Sequence, residues 1–177
     1  MIMTSRGILS IHEVNSLPDE NFEWLFHNVI EYSPEAATAA VNKKPFSSTE
    51  DLKKAFDDYL DKLDMSEKEI ILLHHPDLSS KYSEVMLTAE SRNEQKLAGL
   101  DTINQCDKES FINNLSLYKE KFGFPFVICA RENNLKSIMD QLCQRLHNCK
   151  ETELKAGIEE VKKICRIRID DLVWPDV

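Results

Sequence analysis

The sequence has 177 residues, enough for one domain with a substantial core, and its 42% hydrophobic and 30% charged residues are ordinary for a soluble globular protein. The formal net charge of −9 argues against a nucleic-acid backbone or an anionic membrane surface as the main partner. No apolar stretch reaches the roughly 18 residues of a membrane span. We expect a single domain over residues 1–177, with residues 1–9 as a flexible extension.

The pattern of hydrophobic residues is helical along most of the chain. The 4 glycines are few for a β-rich fold, which needs many turns. Apolar residues recur instead at steps of three and four, the spacing of one helix face. Such stripes begin at Phe22, Leu52, Ile70, Phe111, Leu135 and Leu154. The pattern predicts an all-α fold, one compact bundle-like domain of about eight helices.

Helix-start signals precede most of these stripes. A side-chain oxygen before the first turn accepts backbone N–H bonds, and a proline fits within that turn. The predicted starts are Ser33-Pro34, a capping box of Ser47 and Glu50, another of Ser66 and Glu69, Thr88, and Asp107, whose helix ends at Gly123. The final helix is predicted from about residue 151 to 172.

Two segments interrupt the helical pattern. Residues 81–87 are predicted to form a loop. Residues 124–130 are apolar but too short for a separate helix, and Pro125 favours an extended backbone at Phe124. The second segment is therefore predicted to be extended.

The five cysteines are Cys106, Cys129, Cys143, Cys149 and Cys165. They form no CxxC pair and show no zinc-finger spacing with histidine, so no metal site is predicted. Most have apolar neighbours in the sequence, and we expect reduced core thiols in an intracellular protein. The N-terminus lacks the apolar run of a signal peptide.

His75 stands where a predicted helix must stop. Pro76 disfavours helical geometry at His75 and cannot donate a helical hydrogen bond, so the helix opened at Ser66 ends near His74 or His75. A histidine titrates near neutral pH and suits general acid–base catalysis. The alternative is that both histidines are ordinary surface or capping residues.

A polar stripe follows Thr88. Ser91, Glu94, Gln95 and Ala98 share one helix face. If this face lines a cavity, it offers a hydroxyl, a carboxylate and an amide to one ligand. The alternative is a solvated polar face, the usual arrangement in small helical proteins.

Arg168 falls on the apolar stripe of the last helix, in line with Leu154, Ile158, Val161 and Cys165. A buried arginine must meet a carboxylate, a substrate anion or an opening to water. Its fork of donors suits planar anionic or carbonyl groups. A structural ion pair, or a side chain that reaches solvent near the helix end, is the alternative.

Four segments resemble a known family: residues 73–78 (LHHPDL), 87–100 (LTAESRNEQKLAGL), 118–131 (YKEKFGFPFVICAR) and 159–168 (EEVKKICRIR). This ordered set is similar to the 2-oxo-4-hydroxy-4-carboxy-5-ureidoimidazoline (OHCU) decarboxylases, which catalyse the last step of urate conversion to (S)-allantoin. The resemblance covers about residues 10–172.

The resemblance implies an all-helical enzyme that needs no cofactor, acts on a small ureide and is commonly a homodimer. It implies His75, rather than His74, as the catalytic histidine, with Glu94 and Arg168 as its catalytic partners. The implied substrate-binding residues are Pro76, Ser91, Arg92, Asn93, Glu94, Gln95, Phe126, Val127, Ile128, Cys129 and Ala130.

Location and the class of function are open to alternatives. The family is commonly peroxisomal, but residues 174–177 (WPDV) are not a Ser-Lys-Leu type address, so peroxisome and cytoplasm are both expected locations. The alternative function is a non-catalytic helical module that binds a small anionic ureide or a protein partner. A carrier of small anions through Arg168 is a further alternative. Both predict binding without release of carbon dioxide.

Overall fold

The computed structural model describes residues 9–79 and 87–174, and helices dominate both ranges. These ranges contain nine α-helices, which confirms the all-α prediction. The helices are α1 (Ile11–Ser16), α2 (Asp19–Phe26), α3 (Glu35–Val41), α4 (Thr49–Lys62), α5 (Met65–His74), α6 (Ala89–Leu97), α7 (Gln105–Phe122), α8 (Leu135–Arg145) and α9 (Lys150–Asp170). Short 3-10 helices lie at Leu100–Thr102 and Ala130–Glu132.

The chain divides into two compact units, whose described parts are residues 9–64 with 162–174 (unit 1) and residues 65–79 with 87–161 (unit 2). Unit 1 holds α1 to α4 and the end of α9, and unit 2 holds α5 to α8 and the start of α9. That residues 1–177 form one domain stays a prediction. The predicted loop at residues 81–87 lies outside the described residues except for Leu87.

Unit 1 is built around α3, which packs against both α2 and α4. Its core contains a chain of aromatic rings, since Phe26 lies 4.6 Å from Phe22 and 6.1 Å from Phe56 between ring centroids. Leu9 forms a parallel bridge with Val173. The predicted N-terminal extension otherwise lies outside the described residues.

Unit 2 has a second aromatic core, centred on the fully buried Tyr118 of α7. The Tyr118 ring lies 4.5 Å from that of Phe122 and 5.2 Å from that of Phe126. α7 also packs against α8. The aromatic side chains that follow α7 therefore help to hold the next segment of chain inside the unit.

The helix-start predictions are confirmed at Thr88 and corrected in part elsewhere. α3 begins directly after Pro34 and ends at Val41, as predicted from Ser33-Pro34, but Pro34 at its N-cap supplies no side-chain hydrogen bond. The Thr88 side chain accepts the N–H of Ser91 and caps α6. The cap of α4 is Ser48 rather than Ser47, because Ser48 is extended and its hydroxyl accepts the N–H of Asp51.

Two further starts lie earlier than predicted. Asn104, not Asp107, caps α7, because the Asn104 side chain accepts the N–H of Asp107 and leaves that residue in the first turn. α5 starts at Met65, so Ser66 lies inside its first turn. The end of α7 is as predicted, since Gly123 adopts φ 87, in the left-handed region.

The cysteine prediction is wrong for three of the five residues. Cys129 and Cys165 are buried, whereas Cys106, Cys143 and Cys149 are exposed, and all five thiols are free. Apolar neighbours in the sequence did not place these three thiols in the core, because neighbouring helical residues point in different directions. Among residues 9–79 and 87–174, none of the helices has the length and hydropathy of a membrane span.

Candidate active site

His75 follows directly after α5 and is buried, with 6% of its surface exposed. Its backbone N–H bonds the carbonyl of Leu72, and its Nδ1 lies 3.0 Å from the carbonyl oxygen of Ile71. A carbonyl oxygen only accepts, so Nδ1 carries a proton. In the neutral ring the lone pair then lies on the buried Nε2. The surface alternative for His75 is wrong, whereas the capping alternative stays open, because Nδ1 bonds a carbonyl of the last turn of α5.

The polar stripe of α6 faces inward. Ser91, Glu94, Gln95 and Ala98 are all buried, so the solvated interpretation of this face is wrong. The Gln95 side chain is 3% exposed, and its Oε1 accepts no hydrogen bond from any residue in the described ranges. A buried amide oxygen without a donor is costly in a native protein, which makes Oε1 a candidate acceptor for a ligand.

Arg92 and Asn93 lie on the opposite side of the same helix, and both are exposed. Their assignment to substrate binding stays a prediction that this placement does not support. Pro76, beside His75, is partly exposed.

Residues 124–129 form no regular element and are followed by the short helix Ala130–Glu132, so the segment forms no α-helix of its own, as predicted. An extended backbone at Phe124 stays a prediction. Phe126, Val127, Ile128, Cys129 and Ala130 are nevertheless all at least 94% buried. α6 packs against the short helix that begins at Ala130. The polar face of α6 and this segment are thus neighbours within unit 2.

Glu94 lies close to Cys129. Burial raises the pKa of the Cys129 thiol to about 11, and the negative charge of Glu94 adds to that rise. The backbone N–H of Cys129 donates to Oε2 of Glu160 over 2.8 Å. An acidic residue on α6 and another on α9 therefore both approach the buried segment.

A buried polar cluster holds the same segment from α8. Arg145 donates from Nη1 to the carbonyl of Val127 over 2.9 Å. Its Nε and Nη2 each lie 2.9 Å from Oε2 of Glu153, whose side chain is fully buried. The Tyr118 hydroxyl donates to that oxygen as well, and Asn148 donates to Glu153 Oε1 over 2.7 Å. Burial is the main cause that raises the pKa of Tyr118, so its hydroxyl stays protonated.

Arg168 belongs to unit 1 and is 4% exposed. Its Nη1 donates to Oε2 of Glu31 over 2.7 Å and to the carbonyl of Asn28 over 2.9 Å. The side chain meets a carboxylate, one of the outcomes expected for an arginine on an apolar stripe. An ion pair therefore exists, and a catalytic role for Arg168 stays a prediction.

Sequence reasoning missed Glu31 in unit 1, and Arg145, Glu153 and Glu160 in unit 2. Arg145 lies three residues after the buried Leu142, so its position on an apolar face could have been noticed as that of Arg168 was. No group of three or more histidine, cysteine, aspartate or glutamate side chains within the described ranges could hold a metal ion.

Comparison with known proteins identifies the family. The sequence model of OHCU decarboxylase matches residues 15–170 of this chain. The chain belongs to the OHCU decarboxylase family. It is similar to the 2-oxo-4-hydroxy-4-carboxy-5-ureidoimidazoline decarboxylase of Amia calva, with 41% identity over 166 residues, or 93% of this chain and 95% of that protein. The Xenopus laevis protein of the same name is 42% identical over 166 residues, or 93% and 94%.

A solved structure of the family agrees in fold. The crystal structure of OHCU decarboxylase in the presence of (S)-allantoin has a TM-score of 0.65 and 25% sequence identity to this chain. The alignment covers 86% of this chain and 96% of that one. The resemblance seen in the sequence is therefore confirmed for the OHCU decarboxylase family, and the roles of individual residues stay predictions.

Proposed function

We propose that this chain catalyses the decarboxylation of OHCU to (S)-allantoin, the last step of urate oxidation. It is a carboxy-lyase in which side chains of the protein carry out the catalysis. The observation that carries the proposal is the burial of the three ionisable residues implied by the resemblance: His75, Glu94 and Arg168 are 6%, 9% and 4% exposed. Ionisable side chains are rarely buried without a partner or a function.

When carbon dioxide leaves, the electron pair of the broken bond must be accepted elsewhere in the substrate. The bond between the ring carbon and the carboxylate breaks, and its pair forms a double bond to the adjacent ureido-bearing carbon, while the ring nitrogen of the C=N bond takes a proton. The hydroxyl then loses its proton to become a carbonyl, and the ureido-bearing carbon gains one on a single face. One carbon dioxide leaves, and one proton is consumed when the substrate is a carboxylate.

His75 is the group proposed to act on the hydroxyl. Since its Nδ1 proton is directed at the carbonyl of Ile71, the neutral ring presents Nε2 as the base or hydrogen-bond acceptor. The backbone bond from His75 N–H to Leu72 holds the residue at the helix end. The Nδ1 bond fixes the tautomer, and the two bonds together fix the direction from which a proton is taken.

Glu94 and its neighbours are proposed to bind the ureido group. A carboxylate accepts two N–H donors, and the buried Oε1 of Gln95 is a further acceptor on the same face. The N–H of Val127 and both backbone groups of Ile128 take no part in the bonds to Arg145 and Glu160. These groups are suited to the amide edges of the substrate.

Arg168 is proposed to bind a substrate oxygen and stabilise the charge that develops on the ring. A guanidinium held in place before the reaction stabilises such charge without reorganisation. Its ion pair with Glu31 holds the guanidinium in place within unit 1.

The proposal is tested by the rate at which freshly prepared substrate loses carbon dioxide with and without the protein. We expect catalysed release that saturates with substrate concentration. Binding of substrate without faster release would instead favour the non-catalytic ureide-binding module.

We further propose that the chain forms a homodimer and acts inside the cell, in the peroxisome or the cytoplasm. The family resemblance supports both statements. Sedimentation velocity tests the first, where a species near the 20.5 kDa of one chain would contradict it. Imaging of a tagged full-length chain tests the second, where secretion of the chain would contradict it.

A further inference from the structure

We propose that Glu31 is a positioning residue for Arg168, held in place by a strained turn from Asn28 to Tyr32. The inference rests on the proposed function of Arg168 and extends it to residues that touch no substrate. It assigns a purpose to the ion pair that Arg168 forms on the buried stripe of α9.

The first observation is the ion pair. Glu31 is 0% exposed, and its Oε2 accepts a hydrogen bond of 2.7 Å from Nη1 of Arg168. The same Nη1 donates to the carbonyl of Asn28 over 2.9 Å. Two acceptors on one nitrogen fix the plane of the guanidinium, because the group is rigid and flat. The direction of its remaining N–H groups is then set as well.

The second observation is the backbone that carries Glu31. Tyr32 has φ 48, in the left-handed region that residues with a Cβ seldom adopt. Its N–H donates to Oδ1 of Asn28 over 3.0 Å, which holds the strained residue in place. The Ser33 hydroxyl donates to the carbonyl of Glu31 over 3.0 Å. Side chains on both sides of Glu31 thus stabilise this turn.

The strain has no evident structural purpose at Tyr32, because its side chain is 58% exposed. Glu31 lies one residue before Tyr32, and its carboxylate shares one Arg168 nitrogen with the carbonyl of Asn28, at the start of the same turn. Strained backbone persists where the surrounding structure requires it, and commonly beside functional groups.

The decisive experiment compares Glu31→Gln with the wild-type chain. This substitution keeps the size of the side chain but leaves a weaker, uncharged acceptor, so the guanidinium is less well oriented. We expect kcat to fall roughly 10- to 100-fold, with a smaller change in KM, because orientation matters most in the transition state. The matched control is Glu50→Gln, which removes a carboxylate from Arg166 in the same unit and should leave kcat unchanged.

A double variant separates positioning from general stability. If Glu31 acts through Arg168, Glu31→Gln in an Arg168→Gln background should lower kcat by no more than about twofold beyond Arg168→Gln alone. A purely structural Glu31 would instead lower kcat in the double variant by the same factor as in the single one. That additive result overturns the inference.

A milder variant covers the case in which Glu31→Gln does not fold. Asn28→Ala removes the bond to the Tyr32 N–H and leaves both charges in place; kcat should fall, and a wild-type kcat would overturn the inference. An inactive wild-type chain overturns the proposed function together with this extension. An active wild type with an unaffected Glu31→Gln variant overturns only the positioning role.

Discussion

Arg145 donates a hydrogen bond of 2.9 Å to the backbone carbonyl of Val127, from a helix to a segment without regular structure. The same guanidinium bonds the fully buried carboxylate of Glu153. Residues 126–130, which are proposed to bind the substrate, are therefore held by a charged cluster. Loss of Arg145 leaves the Glu153 carboxylate buried without its positive partner.

Arg145→Ala should lower the free energy of unfolding by about 3–5 kcal/mol, the usual effect of removing one partner from a buried ion pair. Urea denaturation followed by far-UV circular dichroism measures it. Arg92→Ala is the control, because Arg92 is exposed in the same unit, and it should change stability by less than about 0.5 kcal/mol. Equal losses of unfolding free energy for the two substitutions would contradict a stabilising role of the buried ion pair.

His75→Asn should lose at least about a hundredfold in turnover while its thermal unfolding stays close to that of the wild type. The neighbouring His74→Asn is the matched control, because His74 is the last residue of α5 and is only partly buried. It should retain wild-type turnover. Near-normal formation of (S)-allantoin by His75→Asn would reject His75 as the catalytic histidine.

Gly157→Ala should destabilise the protein even though alanine favours a helix. A Cβ at residue 157 would stand 2.8 Å and 2.9 Å from the two terminal carbons of Leu72, which is fully buried. Overpacking of this kind costs about 1–3 kcal/mol, against a gain of at most about 1 kcal/mol in helix propensity. Differential scanning calorimetry should show a lower Tm, and an unchanged or higher Tm would contradict the packing.

Cys149 should be alkylated before Cys129 and Cys165. Its hydrogen bond with Thr152 lowers the pKa of the exposed Cys149 thiol, whereas burial raises the pKa of the other two. A lowered pKa increases the thiolate fraction at about pH 7.5, and the thiolate is the reactive form.

The control for that prediction is Thr152→Val. Without the hydroxyl the pKa of Cys149 rises, the thiolate fraction at the same pH falls, and iodoacetamide labelling measured by mass spectrometry should slow. An unchanged labelling rate in this variant would contradict the role of Thr152.

Features that depend on neighbouring residues could be predicted from the sequence. Pro76 stops α5 before His75, Thr88 opens α6, and Gly123 ends α7, because caps and prolines act within one helical turn. The cap of α4 was misplaced by one residue, because Ser47 and Ser48 offer the same hydroxyl and only the backbone conformation decides between them.

Partners distant in sequence could not be predicted. Arg168 was expected on a buried face, but its partner Glu31 lies 137 residues away and is set by tertiary packing. The two buried carboxylates of α9 could have been noticed in the sequence. Glu153 and Glu160 are two turns apart and lie on the same helix face as Gly157, between them. That row is a second buried face of the helix, beside the apolar stripe.

The most direct test of the proposed decarboxylase is the handedness of its product. Protonation by water reaches both faces of the intermediate equally, so the uncatalysed reaction yields racemic allantoin without a circular dichroism signal. With wild-type protein and freshly generated OHCU, we expect a signal of (S)-allantoin that grows in proportion to protein concentration. Allantoin that forms at the uncatalysed rate and stays racemic would contradict the account.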